Sequence, residues 1–105
     1  MDIQRYILNN TGVLLPISGG NGLSQDQAVV LSSEAKYGLV SIENEYISIW
    51  LNDVQWDKVE QSLMITDDGK KYDKITINHF MGDGAVVERV FWFDITECFG
   101  IHIST

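Results

Sequence analysis

Val59-Glu60-Gln61-Ser62-Leu63-Met64-Ile65-Thr66-Asp67-Asp68-Gly69-Lys70-Lys71-Tyr72 decides the fold. Val59, Gln61, Leu63 and Ile65 alternate with Lys58, Glu60, Ser62 and Met64. A period of two with one apolar side is the signature of a strand. Asp67-Asp68-Gly69 then supplies a hairpin turn, because glycine accepts the positive φ that such turns need. Downstream, Tyr72 to Phe80 is the next strand, with Ile75 and Ile77 on one face. Gly82-Asp83-Gly84 turns the chain again. Val86 to Ile95 follows, with Phe91, Phe93 and Ile95 on one face and Val90 and Trp92 on the other. A last alternation, Phe99, Ile101 and Ile103 against Gly100 and His102, predicts a short terminal strand.

Upstream lies the best helix. Ile42, Tyr46, Ile49 and Trp50 follow the i, i+4, i+7, i+8 spacing, and Ile47, Leu51 and Val54 widen the stripe. Ser41 is the expected N-cap, and Glu43 and Glu45 sit where the helix dipole favours negative charge. Ala28-Val29-Val30-Leu31 reads as a buried strand. Before it, Ser18-Gly19-Gly20-Asn21-Gly22 is a flexible loop, and Ile3 to Ile17 is expected as an edge strand or arm. The predicted fold class is therefore α+β, a single domain over residues 1–105. One amphipathic helix packs on an antiparallel sheet of four to five strands.

Charge narrows the function classes. Lys and Arg total 7 and Asp and Glu total 15, a net −8 over 105 residues. Nucleic-acid binding needs a basic stripe that releases counterions, and none is present. Anionic membrane surfaces are disfavoured for the same reason, while a basic protein partner is favoured. The lone Cys98 permits no internal disulfide, which suits a reducing compartment. No apolar stretch resembles a signal peptide or a bilayer span, so a cytoplasmic protein is expected.

Catalytic signatures are weak. The glycine loop lacks the Lys-Ser or Lys-Thr of a P-loop, and Gln25 stands where a dinucleotide loop has its third glycine. As strand residues, Cys98 and His102 would stand roughly 13 Å apart, too far to share a metal. His79 reads as a strand-end residue meeting solvent. No Gly-x-Ser-x-Gly elbow exists. Among the paired carboxylates (Glu43 with Glu45, Asp67 with Asp68, Asp94 with Glu97), Asp94 is the best placed for burial, between Phe93 and Ile95. Its plainer role is to accept hydrogen bonds in a turn at the strand end. No catalytic, cofactor-binding or metal-binding residue is assigned.

The strings Ile17-Ser18-Gly19-Gly20-Asn21-Gly22-Leu23-Ser24, Ala28-Val29-Val30-Leu31, Glu45-Tyr46, Tyr72-Asp73-Lys74-Ile75, Phe93-Asp94-Ile95-Thr96 and Phe99-Gly100 carry a resemblance. Together they resemble a group of small bacterial proteins of about this length, some of them carried on integron gene cassettes. The resemblance spans nearly the whole chain, but its motifs are turns and strand ends. It implies a mobile accessory gene more than a housekeeping enzyme, and it supplies no catalytic residues to carry over.

The expected function is a non-catalytic binding or interaction module, a homodimer whose acidic surface suits a basic protein, as in an immunity or antitoxin role. The alternative is a small-molecule-binding domain or minor enzyme, its pocket between helix and sheet at Tyr46, Trp50, Trp92 and Asp94. The expected dimer interface is Val90 and Trp92. These residues would fall on the sheet face that a single helix leaves bare.

Overall fold

The computed structural model describes residues 2–34, 38–52 and 55–98. The meander forms as its alternation predicts: β3 (Trp56–Ile65), β4 (Lys71–Phe80) and β5 (Val86–Asp94) pair antiparallel in sequence. Gly69 and Gly84 hold φ of 87° and 88° at the two turns. In the first turn, the Thr66 hydroxyl donates to Asp68 Oδ1 and the Lys70 amide to Thr66 Oγ1. The register of β3 shifts between Lys58 and Glu60, so Val59 sits at a bulge.

Two more strands, β1 (Ile17–Gly19) and β2 (Val29–Leu31), complete a five-stranded sheet in the order β1-β2-β5-β4-β3. The pairing of β2 with β5 is parallel, Val29 opposite Phe93 and Val30 opposite Asp94. The sheet is thus mixed, which corrects the all-antiparallel expectation. A parallel neighbour requires a crossover. Here α2 (Leu39–Trp50), β3 and β4 lie between the two strands in sequence.

The N-terminal segment is also corrected. Most of it is a helix, α1 (Ile3–Thr11), and only Ile17 of the expected arm enters a strand. Asp2 caps it by accepting from the Arg5 amide at 3.2 Å. Ile3 and Ile7, one turn apart, face the core at 1% exposure each, and Gly12 ends the helix in the left-handed conformation. Among the described residues there are thus two longer helices, α1 and α2, and a short helical turn at 96–98, where one helix was expected. The start of α2 moves as well. Its N-cap is Gly38, with no side-chain cap bond, and Ser41 is already helical. Of the expected terminal strand, 99–103 lies outside the described residues, and 96–98 is helical.

Both helices pack on one face of the sheet. Ile3 and Ile7 of α1, Tyr46 and Ile47 of α2, Val29 and Leu31, Ile75 and Ile77, and Phe91 and Phe93 form one continuous core. Tyr46 meets Phe93 edge-on at 5.7 Å and stacks on Trp50 at 6.1 Å, while Tyr6 of α1 lies 6.2 Å from Trp50. By strand alternation the opposite face carries Val30, Tyr72, Lys74, Val90, Trp92 and Asp94. Toward Val86 this face is exposed, whereas at its other end Tyr72 and Asp94 are buried, and Ile3 of α1 lines a cleft with them.

Candidate functional site

The glycine loop is built by its own close contacts. A Cβ on Gly19 would stand 2.7 Å from the Ala28 carbonyl oxygen, and one on Gly20 2.5 Å from that of Gln27. The loop needs glycine because its two limbs touch, with no ligand required to explain it. It then docks on the sheet. The Trp92 amide donates to Gly22 O at 2.7 Å, and the Tyr46 hydroxyl donates to Asn21 O at 2.6 Å. That hydroxyl is well buried, and its pKa is pushed upward by desolvation and then by Tyr6.

Where the loop meets the ends of β4 and β5, it leaves a cleft of about 360 Å³ lined by Gln25, Asp26, Lys70, Tyr72 and Asp94, among others. Asp94 is 8% exposed. Its Oδ1 accepts from the amide of Thr96 at 3.0 Å and from its hydroxyl at 2.6 Å. The strand-end turn expected for this residue is therefore present. A second cavity, of about 460 Å³, lies between the helices at Tyr6, Asn10, Ile49 and Trp50.

The four expected pocket residues do not share a cavity. Tyr46 is fully buried in the core, and Trp50 lines the inter-helix cavity. Asp94 lines the glycine-loop cleft. Trp92 lies on the opposite face, edge-on to Tyr72 at 6.3 Å, with the Lys74 ammonium 5.4 Å from its ring centre. The sheet itself separates Tyr46 from Trp92, because Phe93, which touches Tyr46, alternates with Trp92 along the strand.

The most perturbed acid is a different residue. Glu43 is fully buried, and among the described residues neither carboxyl oxygen receives a donor. Its pKa is pushed up to about 10, first by desolvation, then by the carboxyl of Asp73, against a small opposing pull from Lys58. Asp73 is 6% exposed and accepts from Gln61 Nε2 at 3.0 Å. Burial therefore favours the protonated, neutral form of Glu43. The helix dipole was expected to favour negative charge at Glu43, and its burial opposes that charge. The signal was present: Glu43 lies three and four residues before Tyr46 and Ile47, within the apolar stripe. Asp73 likewise shares strand parity with Ile75 and Ile77.

Glu43 and Asp73 line neither of these two cavities. Cys98 is buried, and desolvation raises its thiol pKa, with Glu43, Asp73 and Glu97 adding to the rise. Its Sγ lies 3.6 Å from Ile95 O. That makes it a packing residue with a poorly nucleophilic thiol. The separation expected for Cys98 and His102 rested on a strand, and Cys98 is helical while His102 lies outside the described residues. His79 is 7% exposed, which corrects its expected solvent position, and its Nδ1 accepts from Arg89 Nε at 3.3 Å. Among the described residues, no three His, Cys, Asp or Glu side chains converge to hold a metal. No described helix is long and apolar enough to cross a membrane.

No protein-family model, curated protein or solved structure matches the chain.

Proposed function

We propose that this chain is a non-catalytic interaction module. It acts as an accessory protein of mobile-element type, in the manner of an immunity protein or antitoxin, binding a basic protein and pairing with a second copy of itself in the cytoplasm. One observation carries the reading: both helices occupy the same face of the sheet, so Val90 and Trp92 stand half-buried on the other. Val86, on that face, is 54% exposed. Apolar groups gathered on one bare sheet face mark an interaction surface. The net −8 supports a basic protein as the partner. A two-fold dimer centred on Val90 and Trp92 would bury the rest against its own copy.

The test is light scattering at tens of micromolar, on the unaltered chain and on Trp92→Glu. A dimer mass that falls to a folded monomer in the variant is the expected result. A monomer mass for the unaltered chain would remove self-association from the proposal. A second reading, a small-molecule-binding domain, is favoured by the glycine-loop cleft with Asp94 in its lining.

A further inference from the structure

The glycine-loop cleft lies at one end of the face opposite the helices, and its lining is a charged arrangement with an unfilled acceptor. Asp94 is more than nine-tenths buried. Thr96 holds its Oδ1 with two donors. Its Oδ2 receives no donor among the described residues, yet it is absent from the atoms sealed away from solvent. A carboxylate fixed in one orientation, with one oxygen left for the cleft, accepts best from a cationic donor. Asp26 adds a second carboxylate from the loop, and among the described residues Lys70 is the one cation in the lining. Two carboxylates against one ammonium leave the cleft negative. Tyr72, 8% exposed and braced edge-on by Trp92, supplies an aromatic wall beside Asp94, its cross-strand partner.

The geometry points to an arginine-binding cleft: a guanidinium side chain of the basic protein partner enters it, donates to Asp94 Oδ2 and lies against Tyr72. Guanidinium fits better than ammonium for two reasons. Its flat, weakly hydrated face packs on an aromatic ring, and its several N–H groups can donate together to Asp94 and to the carbonyl oxygens that Gln25 and Gln27 bring to the lining. The cleft, at about 360 Å³, has room for such a side chain. This inference rests on the basic-partner reading and adds the atom that partner must find.

Calorimetric titration with N-acetyl-triarginine amide, triglutamate amide and methylguanidinium tests it on the full chain. Three forms are compared: the unaltered protein, Asp94→Asn and Lys70→Gln. The Asn side chain keeps an oxygen for Thr96, so Asp94→Asn loses charge with little change of shape, and a thermal melt verifies its fold. Triarginine should bind saturably and weaken roughly 10- to 100-fold in Asp94→Asn. Lys70→Gln should tighten it by about two- to five-fold, since a like charge leaves the rim. Triglutamate should not bind. Triarginine binding that ignores Asp94→Asn would overturn the cleft while leaving the basic-partner reading intact. Methylguanidinium binding as tightly as the peptide would overturn the protein partner as occupant and make this a small-cation site. No saturable binding at millimolar peptide would sink both the cleft and the basic-partner reading.

Discussion

Glu43 ties the stability of this protein to pH in an unusual direction. Its pKa in the folded chain is pushed up to about 10, against an ordinary value of 4.5. Between those values the folded chain holds a proton that the unfolded chain has released. Stability from this residue therefore falls as pH rises through that window, by up to about 1.4 kcal/mol per unit. Glu43→Gln removes the titration and still offers Asp73 a donor. Urea midpoints for the two proteins should nearly coincide at pH 5, and the Gln variant should be more stable at pH 8 by about 1–3 kcal/mol. Parallel pH profiles would show that Glu43 is ionised in the fold. A smaller effect belongs to Tyr46: removing its hydroxyl with Phe leaves the Asn21 carbonyl without its donor and should cost roughly 0.5–1.5 kcal/mol in denaturant unfolding. At this scale the sequence was legible where periodicity was followed strictly. Glu43 and Asp73 were hidden because charge was read before position. Asp94 was found because flanking Phe93 and Ile95 advertised its burial.

The elements divide by how local their causes are. The meander was legible because each of its strands pairs with its neighbour in the chain across a glycine turn. α1 was obscured by Asn9-Asn10-Thr11, poor helix formers, and by the exposure of Tyr6 and Leu8, which leave Ile3 and Ile7 to face the core without them. Its cap bears more of its stability as a result. Asp2→Ala should cost about 0.5–2 kcal/mol, read as a lower thermal midpoint with loss of helical circular dichroism. The glycine loop makes the opposite demand. Gly19 has φ of 83°, and its missing Cβ would meet the Ala28 carbonyl. Gly19→Ala should destabilise by about 1–3 kcal/mol; Gly38→Ala, with no atom within 4 Å of its Cβ and a negative φ, should change stability by a few tenths of a kcal/mol. Equal losses at the two positions would show that the loop limbs can part.

Across the whole molecule, the arrangement that sequence reading could not reach is the parallel contact of β2 with β5. Nothing in Val29-Val30-Leu31 says which strand lies beside it, because pairing between distant segments leaves no local mark. Yet that contact joins the two parts of the sheet: β1 and β2 reach the meander through it, supported by the bond from the Trp92 amide to Gly22. Its consequence is kinetic. Hairpins close quickly because their loops are short, whereas Val29 finds Phe93 only after most of the chain has been gathered, and that loop-closure entropy falls on the folding barrier. The meander should therefore collapse first, with β2 docking late. Val29→Ala should then mainly accelerate unfolding, while Ile75→Ala should mainly slow refolding, in a stopped-flow chevron. In native-state hydrogen exchange the amides of β4, held in long ladders with β3 and β5, should outlast those of β1 and β2, whose ladders are only two or three residue pairs long. The end of the chain that carries the glycine loop would thus be the part that opens and re-forms most often while the rest of the sheet stays intact.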